Sequence, residues 1–182
     1  MLNLQNRNDA AAFARERLGF VPDAEQERLL ATRERYVILN CHRQWGKSTM
    51  TAIRAVHRAV TQPKQQVVVV STTMRLSMEL AAKCREFGER LGLRLGTLAG
   101  NEGSVVFPNG SVIRPLPADA NRLRGFTAHL LIVDEAARIP DEVYAAATPM
   151  LAATDGDMWL LSTPRGRKGF FYEEWKIGRA HV

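Results

Sequence analysis

Residues 46–49, Gly-Lys-Ser-Thr, set a glycine, a lysine and two hydroxyls side by side. That order suits phosphate. Glycine lets the backbone come close, lysine brings a point charge, and the first hydroxyl is placed to hold a divalent cation. In the full phosphate-loop pattern the first glycine falls on position 41, where this chain has Cys41, followed by His42, Arg43, Gln44 and Trp45. The first glycine mainly eases a turn, so a small Cys41 fits if its φ is negative. Lys47 is expected on the β- and γ-phosphates and Ser48 on Mg²⁺. Arg43 lies one helical turn before Lys47 in spacing, near enough to put a guanidinium by the terminal phosphate. The alternative for Arg43 is a solvated charge or a contact with a neighbouring carboxylate.

A second candidate pair, Asp134 and Glu135, ends the run LLIVDE. Hydrolysis of a phosphoanhydride needs one carboxylate for the metal shell and another to position or deprotonate water. Neighbours at a strand exit can diverge to do both, Asp134 for metal and Glu135 for water. Without the upstream loop the same pair would read as a helix N-cap.

The surrounding elements must aim these groups. YVILN (36–40) is a strand-length apolar run ahead of the loop, and Met50, Ile53, Val56 and Val60 after it recur at helical spacing. A strand running into a helix through a tight loop turns backbone N–H groups toward an anion. VVVVS (67–71), HLLIVDEAA (129–137) and MWLLSTP (158–164) are further apolar runs without alternation, as strands covered on both faces should be. Leu76, Leu80, Cys84, Phe87 and Leu91 mark one face of a long helix. Helices are also expected from near Asn8-Asp9 to Gly19, after Asp23 with Gln26 in capping-box spacing, and over 141–147. Asn109-Gly110 centres a β-hairpin over 104–116. Strand and helix alternate, so the expected fold is α/β: a P-loop NTPase with a mainly parallel sheet, flanking helices and an inserted β-hairpin. The candidate chemistry lies just after strand C-termini, where such sheets bind ligands.

The chain has 182 residues, 46% of them hydrophobic and 24% charged, enough for one domain with a real core. No apolar run is long enough to span a bilayer, and the first ten residues lack a charged-then-apolar export pattern. Two cysteines, Cys41 and Cys84, support neither a disulfide framework nor a zinc site. The net charge is +6, carried by 20 Arg and 5 Lys. It fits either a polyanion partner or a compositional bias, and charge alone does not decide between them.

The ordered set of motifs resembles the ATPase domain of the large terminase subunit of tailed bacteriophages, over roughly residues 18–175. FVPDAEQERLL resembles the family's adenine-side glutamine motif, with Gln26 as the glutamine. CHRQWGKST resembles its variant phosphate loop, which commonly carries arginine at the Arg43 position and often lacks the first glycine. FPNGSVIRPLPA with NRLRGFTAHLLIVDEAA resembles its hairpin, Arg-Gly segment and acidic strand. LLSTPRG resembles its coupling motif, in which Ser162 and Thr163 would sense the γ-phosphate. The resemblance implies ATP and Mg²⁺ as ligands, with residues 41–49 holding nucleotide. It also implies an oligomeric, generally pentameric ring at the portal protein of a capsid in the bacterial cytoplasm, working with a small terminase subunit. Hydrolysis there would drive double-stranded DNA inward. Arg43 would act as an arginine finger in cis, or Arg122 or Arg124 in trans. The other roles open to these residues are structural: ion pairs or DNA backbone for Arg122 and Arg124, helix capping for Gln26, and strand-end hydrogen bonds for Ser162 and Thr163.

The family normally carries a second, nuclease domain, and no residues here correspond to it. The last six residues, IGRAHV, match the translation of a common sequencing adapter. Residues 1–176 are therefore expected to be a truncated domain and 177–182 a read-through tail, with the strand that usually follows the coupling motif missing. Two rivals share parts of the pattern. A superfamily two helicase would share Lys47, Asp134, Glu135 and the Ser-Thr motif, but Ala136-Ala137 after the acids favours the terminase pattern. A non-catalytic P-loop module binding nucleotide or DNA is suggested by Cys41 and the expected truncation.

Overall fold

The structure is a computed structural model, and it describes residues 9–177 and the backbone of 180–181. Asp9 caps α1 (Ala10–Leu18), and left-handed Gly19 ends it. α2 (Ala24–Ala31) opens with the expected capping box, Asp23 with Gln26. Then follow β1 (Tyr36–Asn40), α3 (Lys47–Thr61), β2 (Gln66–Ser71) and α4 (Met74–Arg90). A hairpin region follows, comprising β3 (Gly96–Leu98), β4 (Asn101–Val106) and β5 (Val112–Pro117). After it come α5 (Ala120–Leu123), β6 (Leu130–Asp134), α6 (Asp141–Ala147), β7 (Asp157–Ser162) and α7 (Gly169–Ile177). Ala180–His181 form β8.

The strand order is β3-β4-β5-β2-β6-β7-β1-β8. From β5 to β8 every neighbouring pair is parallel, whereas β3-β4 and β4-β5 are antiparallel. The Asn109-Gly110 turn is the hairpin turn: Phe107 N–H donates to the Ser111 carbonyl at 2.8 Å, and Gly110 takes φ 81. The hairpin is less separate than the sequence suggests, because β5 also joins the main sheet beside β2. Residue 177 closes α7, and two residues of the expected tail pair with β1 at Val37 and Ile38. The β1 edge is therefore not bare over those two positions. The rest of that tail, 178–179 and 182, lies outside the described residues.

Strand side chains alternate between two cores. Val37, Leu39, Val67, Val69, Leu130, Ile132, Trp159 and Leu161 face α1 to α4. Ile38, Val68, Val70, Leu131, Val133, Met158 and Leu160 face α6, α7 and the α5 segment. β1, β2, β6 and β7 are each buried on both sides, which is why their sequences show no polar alternation. At the strand N-termini Arg58 of α3 locks the layers. It donates to Gln65 Oε1 at 2.8 Å, Asp157 Oδ2 at 3.0 Å and the His129 carbonyl at 3.2 Å. That leaves the opposite, C-terminal ends of β1, β6 and β7 to build a site.

Candidate active site

β1 delivers the chain into the loop at Cys41, whose N–H donates to the Ser162 carbonyl at the end of β7 (3.2 Å). The positive-φ residues of the loop are Gln44 (φ 67) and Gly46 (φ 96), not Cys41. The turn therefore never needs a glycine at position 41, and Cys41 packs instead against the core under α3. Gly46 is required. It has a left-handed φ, and a Cβ there would meet Gln26 Nε2 at 3.1 Å. Gln26 makes both contacts open to it: its Oε1 accepts from Asp23 N–H (3.1 Å), and its Nε2 donates to the Trp45 carbonyl (3.1 Å). Trp45 Nε1 donates to Glu25 Oε2 at 3.3 Å, so α2 clasps the loop twice.

α3 starts at Lys47 with no side-chain cap and no acid in its first turn. Its first N–H groups and the positive end of its dipole thus face the loop's concavity. Lys47 Nζ arches back over the loop to the carbonyls of His42 (3.4 Å) and Cys41 (3.5 Å). A cleft of about 520 Å³ opens beside it. Its walls bring together Arg43, Gln44, Gly46, Lys47, Ser48 and Thr49 from the loop and the start of α3, Asp134 and Glu135 at the exit of β6, and Thr163 just after β7. Cys41, His42, Trp45, Gln26 and Ser162 are not among the residues that line it.

β6 ends at Asp134, and Glu135 turns left-handed (φ 52), so the two carboxylates diverge as the adjacent acids suggest. Asp134 has its carboxyl pushed up to about 6, by burial first and by the Glu135 charge second; Lys47 acts in the opposite direction. Glu135 Oε2 forms an ion pair with Arg138 (Nε at 3.3 Å) and accepts from Thr163 Oγ1 (3.4 Å). Ser162 is fully buried and takes the structural role. It accepts from Ala137 N–H (3.3 Å) and donates to the Thr163 carbonyl (3.0 Å), tying β7 to the turn after β6. Among the described residues no group of three or more His, Cys, Asp or Glu gathers as a metal cage. The Ser48 hydroxyl and the Asp134 carboxylate are hard oxygens on one cleft wall. That set suits Mg²⁺, which takes most of its ligands from water and phosphate.

Arg122 and Arg124 lie elsewhere. Arg122 Nε is 3.7 Å from Asp119 Oδ2, and Arg124 lines a separate groove between the α5 segment and α6. The cleft also has a wall that sequence reasoning missed: Leu76, Glu79, Leu80 and Lys83 of α4. Their spacing marks one stripe of the helix, but Leu76 and Leu80 read equally well as core positions and hid it. Arg138 was missed too, being visible only as a cation three residues after Glu135.

Comparison with known proteins agrees with this geometry. The large terminase subunit of Thermus phage G20c is 29% identical over 183 aligned positions, covering 90% of this chain and 38% of that protein. The chain therefore spans well under half the length of this curated relative. The ATPase domain of the large terminase of Thermus phage P74-26 superposes with a TM-score of 0.78 at 27% identity, over 87% of this chain and 71% of that one. The large terminase of another thermophilic bacteriophage, solved in complex with ATP-γ-S, shares the fold at TM-score 0.69 and 15% identity, over 98% of this chain and 43% of that one. The family model described as terminase large subunit, T4likevirus-type, N-terminal matches residues 39–177, and the chain belongs to that family.

Proposed function

We propose that this chain is the ATP-hydrolysing motor domain of a phage terminase large subunit, whose turnover drives double-stranded DNA into a capsid. The observation that carries the reading is the convergence of Lys47, Ser48, Asp134, Glu135 and Thr163 on one cleft from three separate strand ends. Nucleotide as the ligand is supported by the same thermophilic-phage large terminase, which has been solved with ADP and with ATP-γ-S.

Lys47 exchanges the loop carbonyls for the β- and γ-phosphates of ATP, and the first N–H groups of α3 follow it onto the anion. Ser48 and Asp134 hold Mg²⁺, which when bound neutralises charge on the phosphates. Glu135 orients the attacking water and takes its proton as the new P–O bond forms and the β–γ bridge breaks, leaving ADP and inorganic phosphate. Thr163, bonded to Glu135 just past the end of β7, fits the role of reporting the terminal phosphate to the segment that follows. Arg43 borders the chain's own cleft and fits a finger in cis. Arg124 lines a different groove and fits one supplied to a neighbouring subunit, each kind being worth roughly 10³–10⁵ in rate. Double-stranded DNA, a ring of copies, the portal protein and a small terminase subunit are the partners that this role requires, at the capsid portal in the host cytoplasm. Residues 1–176 form the motor unit in this reading.

The test is Glu135→Gln beside Lys47→Ala. The first should abolish release of inorganic phosphate while keeping ATP affinity, and the second should lose both. A wild-type chain that binds ATP without measurable turnover, in ring-forming as well as dilute conditions, would make this a binding module.

A further inference from the structure

Lys83 lies midway along α4, on the cleft stripe with Leu76, Glu79 and Leu80. Its Nζ donates to Thr49 Oγ1 at 3.2 Å. Thr49 is in the first turn of α3, immediately after the phosphate-loop lysine and the metal-site serine. A lysine at that place is electrostatically odd. It stands at the positive end of the α3 dipole, in a first turn without acids, and it shares the cleft with Lys47 and Arg43. Among the described residues it forms no ion pair. Glu79, four residues earlier, is in the favoured position to pair with it, yet Glu79 pairs backward with Arg75 at 3.2 Å. A neutral hydroxyl is a weak partner for an ammonium group, and a phosphate oxygen is a stronger one.

We propose that Lys83 is a second phosphate lysine, contributed by α4, that positions the triphosphate of ATP together with Lys47. It rests on the reading of the cleft as an ATP site. The cleft carries Arg43, Lys47 and Lys83 beside the carboxylates of Glu79, Asp134 and Glu135, and for Lys47 and Lys83 phosphate oxygens are stronger partners than the carbonyls and the neutral hydroxyl that they now contact. Thr49 holds the ammonium at the cleft wall, in the first turn of the helix whose N-terminus opens on the cleft. The helix is held from its other side by Arg85, which donates to the Gly96 and Ser104 carbonyls, each at 2.9 Å. Lys83 is therefore mounted on an element tied to the hairpin edge of the sheet, not on the phosphate loop.

The experiment is equilibrium binding of ATP with Mg²⁺ to wild type, Lys83→Gln, Lys83→Arg and Lys47→Ala. Each is paired with a thermal melt without nucleotide. Loss of one charge-assisted phosphate contact should weaken ATP binding about tenfold to a hundredfold in Lys83→Gln. Lys83→Arg should recover most of that loss, because it keeps the charge. The melts of both should stay near wild type, since the Thr49 bond is a single contact at a half-buried site. A tether between α3 and α4 predicts the reverse: lowered melts for Gln and Arg alike, with ATP affinity kept. If Lys47→Ala loses ATP and Lys83→Gln does not, Lys83 has no such role and the ATP site stands. If wild type itself does not bind ATP, both readings fall. Should Lys83→Gln not fold, Lys83→Met takes its place: a loss of ATP affinity of about tenfold or more there supports the phosphate contact, and wild-type-like affinity overturns it.

Discussion

Arg138 Nε sits 3.3 Å from Glu135 Oε2, across the turn that follows β6. Thr163 Oγ1 donates to the same oxygen at 3.4 Å. The proposed water-positioning glutamate is thus held from two elements, the turn after β6 and the end of β7. The ion pair is partly exposed, so it adds little to stability, on the order of 0–1 kcal/mol. Its effect should be on geometry. Arg138→Gln is expected to lower kcat about tenfold or more with KM for ATP nearly unchanged, because the base loses its aim while the nucleotide keeps its ligands. Steady-state phosphate release checks this. A rise in kcat would mean that the guanidinium holds Glu135 idle.

Replacing Cys41 with glycine restores the general phosphate-loop pattern on paper. Here it should harm. Cys41 lies outside the positive-φ positions of the loop and packs against the core, so glycine adds unfolded-state entropy and removes contacts. Cys41→Gly is expected to cost about 1 kcal/mol in urea unfolding, with no gain in ATP affinity.

Gly46→Ala should cost more. The left-handed φ of 96 strains any Cβ, and that Cβ lies 3.1 Å from Gln26 Nε2, an atom already bonded to the Trp45 carbonyl. A loss of about 1–3 kcal/mol is expected, with weakened ATP binding, because the clasp between α2 and the loop must open. Combining it with Gln26→Ala should recover part of the loss if the contact matters, and none if the strain lies wholly in φ.

The strands were legible in the sequence because burial on both faces leaves unbroken apolar runs, as Val67 to Val70 show. The phosphate loop and the acidic pair were legible because local spacing encodes them. Lys83 was not, since its role depends on α4 lying against the first turn of α3, a contact between residues 34 positions apart. The separation of Ser162 from Thr163 was equally hidden. Both follow an apolar strand, but the fold buries one hydroxyl and turns the other toward Glu135. β3 was missed because Gly96–Leu98 is too short to show a period.

Asp134 adds a pH dependence of its own. Its carboxyl is raised in the folded chain from 3.8 to about 6, chiefly by burial. In the unfolded chain it titrates near its ordinary value, so between about pH 4 and pH 6 the folded state binds the extra proton. Stability contributed by this group therefore falls as pH rises through that window, and the full cost of the ionised form is present above about pH 6. Asp134→Asn removes the titration. The variant should match wild type near pH 4 and exceed it at pH 7.5 by at most roughly 3 kcal/mol, the equivalent of the raised pKa. Urea unfolding of the nucleotide-free chain at the two pH values measures the difference. Equal stability of the two proteins at pH 7.5 would mean that Asp134 carries no burial cost. Binding of ATP with Mg²⁺ should show the opposite slope in wild type, tightening as pH rises through about 6, because the cation needs the ionised carboxylate. If Asp134 holds the metal as proposed, the site gives up stability of the resting chain for that ligand, and Asp134→Asn should separate the two by gaining the first and losing the second.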